Sequence, residues 1–331
     1  MKTIHVSLRT YVLLAICASL ILASATLGAG KSPRPSAHAS NAPFRITVTG
    51  HGKPMILIPG LASSGDTWAG TVAHFEHRYT CYVLTVAGFA GVPPIQSPLL
   101  SKVRDGLAAM IRQRHLRRPV IVGHSLGGNI ALDLAARYPQ LTGPVIIVDS
   151  LPFYPGAWFQ VKNLEQAKPI IERMRESMQS ETRAQYEARA RSGAEVKYMV
   201  TSPKRLQEII QWSLASDPKA VNAAMIELVS EDLRAELAHI TSPTLVLGTW
   251  KGWRDQMQQE HMNLTRADFV DTFEQQYARL PHLHFVMCDT ARHFIMFDNP
   301  DWFYSQLDTF LSDPSAAVEK RRFGPQAHVA R

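Results

Sequence analysis

Cysteine is scarce in this chain. Only Cys17, Cys81 and Cys288 occur among 331 residues, and none stands at a spacing to histidine that suggests a metal site. An exported protein can pair two such cysteines. However, Cys81 and Cys288 fall beside strand-like runs, Tyr82-Val83-Leu84 and Phe285-Val286-Met287, and buried free thiols are expected there. Charge is also sparse. Charged residues make up 19% of the chain against 46% apolar, the balance of a globular protein and not of a disordered one. Acidic residues are missing from residues 1–39, which hold Lys2, Arg9, Lys31 and Arg34. Beyond that stretch 31 basic residues face 28 acidic ones, so the formal +7 falls to +3. So mild and scattered an excess excludes an electrostatic case for nucleic acid.

One long apolar run is present. Lys2 and Arg9 precede Tyr11-Val12-Leu13-Leu14-Ala15-Ile16-Cys17-Ala18-Ser19-Leu20-Ile21-Leu22, and small residues follow. This is the layout of an export signal, with small-x-small sites at Ala23-Ser24-Ala25 and Ala37-His38-Ala39. The expectation is an exported protein, periplasmic or secreted. Left uncleaved, residues 11–27 are long enough to serve as a membrane anchor, the one route to a membrane that the sequence offers.

The organisation that follows is a leader and linker over 1–39, a first core segment over 40–150, a helical insertion over 151–240, a second core segment over 241–313 and a flexible tail over 314–331. Strand-like runs at Phe44–Thr49, Met55–Ile58, Tyr82–Val86, Pro119–Val122 and Pro144–Asp149 alternate with helical patterns. Such alternation predicts an α/β fold, a mostly parallel, doubly wound sheet. The alternation stops between about Leu151 and Ile240, where only amphipathic helical runs appear, and resumes at Thr244–Gly248 and His284–Met287. Helices inserted between two strands lie over the strand ends, where ligands bind. Trp158, Phe159, Met174, Met178, Met199, Trp212 and Met225 of that insertion serve either as core or as the lining of an apolar pocket.

The most informative run is Pro119-Val120-Ile121-Val122-Gly123-His124-Ser125-Leu126-Gly127-Gly128. It opens as a buried strand and passes through Gly-x-Ser-x-Gly into the helical pattern Asn129–Ala136. Strand, glycine-flanked serine and helix together are the context of a nucleophile elbow. The strained turn lifts the Ser125 hydroxyl clear of the backbone. The Leu126 amide, opening the helix, can then face a developing oxyanion.

Ile58-Pro59-Gly60-Leu61, Gly123-His124-Ser125-Leu126-Gly127-Gly128, and Ala291-Arg292-His293-Phe294 before Asn299-Pro300 together resemble the lid-bearing, serine-nucleophile branch of the α/β-hydrolase superfamily. The resemblance covers nearly the whole chain after residue 43. It implies Ser125 as nucleophile, His293 as its base, and the amides of Leu61 and Leu126 as the oxyanion hole. Most relatives carry the acid a few residues after the penultimate strand. Here that stretch reads Gly248-Thr249-Trp250-Lys251-Gly252-Trp253-Arg254-Asp255, with Lys251 at the usual position and Asp255 late. A minority take the acid from the end of the strand after the elbow helix, where Asp149 stands. Both Asp149 and Asp255 are candidates, with Asp289 a third. Arg292 precedes the histidine where relatives often carry a small residue. The function implied is hydrolysis of carboxylic esters or lactones through an acyl-enzyme, with a small-molecule ester as substrate and no cofactor or metal required. An acyltransferase and a non-catalytic ligand-binding homologue are the alternatives.

Overall fold

The computed structural model describes residues 42–259 and 265–315. The apolar run expected to direct export, Cys17 within it, and residues 316–331 of the tail lie outside the described residues. Seven strands form one sheet: β1 (Phe44–Gly50), β2 (Lys53–Ile58), β3 (Tyr79–Val86), β4 (Val120–His124), β5 (Val145–Val148), β6 (Thr244–Thr249) and β7 (Leu283–Cys288). Their order is β1-β3-β2-β4-β5-β6-β7. Only β1 runs antiparallel, paired to β3 at the edge, and every other pair is parallel.

The central strands lack polar alternation because helices cover both faces. Met55 and Leu57 of β2, Val120 and Val122 of β4, and Ile146 and Val148 of β5 feed one core, closed by Phe75, Phe303 and Leu307. Their alternating neighbours Ile56, Ile58, Ile121, Val145 and Ile147 feed the opposite core, with Leu107, Ile130 and Leu134. Each such side chain, taken fully out of water, contributes about 1.5–3 kcal/mol. The first core is covered by α1 (Ala69–Phe75) and the last helix of the fold. The second is covered by α2 (Leu99–Gln113) and α3 (Leu126–Arg137). Cys81 and Cys288 are buried free thiols.

Five helices stand between β5 and β6: α4 (Tyr154–Trp158), α5 (Leu164–Ser180), α6 (Arg183–Ser192), α7 (Pro203–Ala215) and α8 (Pro218–Val229). They are stitched to the sheet at several points. The Glu227 carboxylate accepts from the Leu99 and Leu100 amides at the start of α2, where the helix dipole favours an anion. Gly91 donates to the Ala215 carbonyl and Asp217 to that of Gly88. After β6 come α9 (Lys251–Gln259) and α10 (Arg266–Gln276); after β7 come α11 (Ile295–Asp298) and α12 (Pro300–Ser312). The sequence reading leaves Lys251–Asp255 as a loop. The structure instead starts a helix at Lys251, directly after the strand, and that moves Asp255 along a helical turn. Among the described residues no helix is long and apolar enough to cross a membrane.

Candidate active site

β4 ends at His124, and the chain turns through Ser125 into α3 with no intervening loop. The turn is possible only because its flanking residues have no side chain. A Cβ on Gly123 would strike the Gly127 carbonyl, and one on Gly127 would strike the carbonyls of Ile58 and Pro59. Ser125 itself sits at φ 53° and ψ −123°. That is a region L-residues avoid, at a cost of order 1–3 kcal/mol. The conformation is held from both sides. The Ser125 amide donates to Val148 at the end of β5 (3.0 Å), and its carbonyl accepts from Gly128 (2.8 Å) and Asn129 (3.2 Å) as the helix begins. Leu126 is the first residue of α3, so its amide has no carbonyl a turn earlier in the helix to bond. The Pro59-Gly60-Leu61 loop passes against the elbow. A Cβ on Gly60 would lie 3.2 Å from the Ser125 Cβ and 3.1 Å from His124 Nδ1.

His293 approaches from the loop between β7 and α11. Its Nδ1 lies 2.5 Å from Asp149 Oδ2. A carboxylate at that nitrogen holds the proton on Nδ1, and the Nε2 lone pair is then the basic one. Asp149 is buried at the end of β5, with φ 46°. Its backbone amide donates to Leu247 (2.7 Å), and its Oδ1 accepts from the Thr249 amide at 3.1 Å. Burial pushes the Asp149 carboxyl above the usual range, against the bonds from His293 and Thr249. His124 lies beneath the histidine loop. Its ring stands 4.5 Å from that of His293, and its Nε2 is 3.1 Å from the His293 carbonyl. A carbonyl only accepts, so Nε2 carries the proton. Burial, with His293 alongside, drives the His124 pKa far down, and the ring is a neutral support.

The two other candidate acids lie elsewhere. Asp255 accepts from Arg292 (2.9 Å) and Arg254 (2.9 Å), and Lys251 stands 3.8 Å away. The helical start of α9 carries it to these cations instead of to His293. Asp289 is paired with Arg266 at 2.5 Å. The departure at Arg292 has a structural use. Its guanidinium bonds Asp255 and the carbonyls of Lys197 (2.9 Å) and Val200 (3.0 Å) between α6 and α7. Asp298 accepts from the Arg292 amide on one oxygen and from Thr201 on the other, and Phe294 donates to Met199. The loop bearing His293 is thus clamped to the helical insertion.

Two residues near the elbow carry no sequence signal. Thr249 supplies the Asp149 bond through its backbone, and its hydroxyl donates to the Ala291 carbonyl at 2.7 Å. Tyr154, at the start of α4, brings its hydroxyl 3.0 Å from Ser150 Oγ, one residue past Asp149. Only the spacing to Asp149, five residues on, hints that Tyr154 turns back over the strand end.

The alpha/beta hydrolase family model matches residues 55–306, and this chain belongs to that family. Among curated proteins, an uncharacterized protein of Mycobacterium tuberculosis is 30% identical over 114 residues, 34% of this chain. The chain spans about a third of that relative's length (33%). A pimeloyl-[acyl-carrier protein] methyl ester esterase of Nitrosomonas europaea is 23% identical, over 81% of this chain and 99% of its own. A putative carbamate hydrolase of Yersinia enterocolitica is 26% identical, over 60% and 72%. Among solved structures, the enol-lactonase of Burkholderia xenovorans superposes with a TM-score of 0.63 at 17% identity, covering 82% of this chain and 96% of that one. A thermophilic esterase of Thermogutta terrifontis gives 0.65 at 20%, covering 82% and 93%. At these identities the structures establish the fold.

Proposed function

We propose that this chain is a serine hydrolase that cleaves carboxylic esters or lactones through an acyl-enzyme on Ser125. The observation that carries the reading is one geometry: a serine on a strained strand-to-helix turn, next in the chain to His124, whose ring lies 4.5 Å from that of His293, and a His293 Nδ1 bonded to a buried aspartate. An alcohol is a poor nucleophile at neutral pH and needs a base within reach. In this reading His293 Nε2 takes the Ser125 proton as Oγ attacks the ester carbonyl. Asp149 holds the tautomer and stabilises the imidazolium without taking its proton. The amides of Leu126 and Leu61 receive the oxyanion. His293 then protonates the departing alkoxide, and water repeats the sequence to release the acid. A lactone opens by the same steps, its leaving alcohol staying attached to the acyl group.

The relatives named for ester and carbamate hydrolysis support the reaction class. An acyltransferase would share the acyl-enzyme and exchange water for an alcohol. A buried carboxylate paired with a histidine, Asp149 with His293, counts against the non-catalytic alternative. The apolar leader supports action outside the cytoplasm.

The test is hydrolysis of p-nitrophenyl esters from acetate to palmitate by the full-length protein. Ser125→Ala is expected to lower kcat by on the order of 10⁴-fold or more and to abolish labelling by a fluorophosphonate. Turnover that survives Ser125→Ala would refute the assignment.

A further inference from the structure

His124 touches three parts of the machinery yet takes no part in the acyl-transfer steps. It is the last residue of β4, directly before Ser125, and it is buried. Its Nε2 donates to the His293 carbonyl at 3.1 Å, a partner 169 residues along the chain. Its ring lies 4.5 Å from that of His293 and 4.6 Å from that of Phe294. Its Nδ1 faces Gly60, where a Cβ would lie only 3.1 Å away, and Gly60 precedes Leu61 of the oxyanion loop. The buried Trp68 ring stands edge-on at 6.5 Å. Among the described residues the Nδ1 atom has no hydrogen-bond partner.

The bond to Asp149 does not by itself place the base. A single contact at Nδ1 lets the imidazole swing, and Nε2 sweeps with it. A general base must come within about 2.6–3.2 Å of the atom whose proton it takes, so the backbone behind the ring needs fixing as well. Arg292 ties that backbone to the helical insertion. The His124 bond ties it to the strand end that carries the nucleophile. We propose that His124 is a positioning residue, which sets the distance between His293 and Ser125 through the hydrogen bond from its Nε2 to the His293 carbonyl. This rests on the serine-hydrolase reading. The brace needs a neutral ring with its hydrogen on Nε2. A second hydrogen on Nδ1 would be a buried donor with no acceptor. It would also set a cation 4.5 Å from a ring that must itself become a cation in the reaction. Burial, and then the neighbouring His293, hold the His124 pKa far below its ordinary value, so the neutral form persists through the neutral range.

Three variants of the full-length protein separate the hydrogen bond from the packing. His124→Phe keeps a buried ring and removes the donor. His124→Gln places an amide N–H where Nε2 stood, and His124→Asn places one nearer the site of Nδ1. The experiment is hydrolysis of p-nitrophenyl acetate, with a thermal melt of each variant and the far-downfield proton resonance of the His293 Nδ1–Asp149 bond. His124→Phe is expected to lower kcat/KM about ten- to a hundredfold and to shift or broaden that resonance, a signature that lost packing at the elbow alone would not produce. His124→Gln is expected to stay within about fivefold of the wild type and to keep the resonance. Should the phenylalanine variant fail to fold, His124→Asn takes its place and is expected to lose what His124→Gln keeps. A His124→Phe enzyme with wild-type kcat/KM, or a His124→Gln enzyme no better than His124→Phe or His124→Asn, overturns the proposal and leaves the serine-hydrolase reading standing. A wild-type protein that neither turns over the ester nor reacts with a fluorophosphonate overturns both.

Discussion

The rims of β5 and β6 lie side by side in the sheet, yet they carry acids of opposite character. At the end of β5, Asp149 is buried, sits at a positive φ, and faces a single partner side chain, His293. Just past β6, Asp255 is half-buried on a helix and is surrounded by Arg292, Arg254 and Lys251. The β6 rim still serves the site, through the Thr249 amide that holds Asp149 and the hydroxyl that holds the histidine loop. Adjacent strand ends can therefore exchange roles. One supplies the carboxylate and the other supplies the backbone that orients it, because both reach the same histidine loop from neighbouring positions, Asp149 at His293 and Thr249 at Ala291.

Replacement of each acid by its amide separates these roles, and the largest effect is expected at β5. Asp149→Asn presents an amide NH₂ to His293 and selects the wrong tautomer. The expected loss in kcat is on the order of 10³–10⁴-fold, measured on a p-nitrophenyl ester. Asp255→Asn is expected to stay within about fivefold, because Asp255 reaches the histidine only through Arg292. The reverse pattern would overturn the comparison.

Much of this contrast is legible from the residues, and part of it is not. The parallel sheet follows from runs such as Val120–Val122 and Val145–Val148, which have no polar alternation. The elbow follows from glycines that no other residue can replace. The choice between Asp149 and Asp255 depends on whether Lys251 continues a loop or starts a helix. The run Lys251-Gly252-Trp253-Arg254, with a glycine second, gives no clear helical start by propensity. Tertiary contacts settle it, since Asp255 is held by Arg292, 37 residues away. Tyr154 and Thr249 are equally silent in sequence, one because the chain turns back after β5, the other because its bond to Asp149 is made by backbone.

A smaller effect is expected from the clamp that joins the two regions. Arg292 ties the histidine loop to Asp255 and to the carbonyls of Lys197 and Val200. Arg292→Met keeps much of the apolar stem and removes these bonds. A displacement of His293 by a fraction of an ångström is expected to lower kcat about ten- to a hundredfold, with the Asp149 bond intact. Kinetics of Arg292→Met beside Asp255→Asn would sharpen the comparison. If the two variants lose the same amount, the clamp works through the carboxylate. If Arg292→Met loses far more, it works through the insertion carbonyls.

The smallest effect is on stability, and there the two acids are expected to act with opposite sign. Burial raises the Asp149 carboxyl above its unfolded value. A carboxyl raised by folding contributes stability below its unfolded pKa, about 3.9, and loses it as pH rises through the folded value. Wherever the carboxyl is ionised, its charge is therefore a cost to the fold. Burial also pushes Asp255 up, but the bonds from Arg254 and Arg292 and the nearby Lys251 outweigh it, and the carboxyl lies below its usual range. Its contribution is present above about pH 4 and is lost as pH falls through the lower folded value. Thermal melts of both amide variants at pH 7 read the difference. Asp255→Asn is expected to melt about 2–4 °C lower than the wild type for each kcal/mol lost, a gap that closes as pH falls toward 3. Asp149→Asn is expected to melt at or above the wild type while it is nearly inactive, since an asparagine also tolerates the positive φ at that position. An Asp149→Asn protein that melts well below the wild type at pH 7 would show that this carboxylate holds the fold together as well as the histidine.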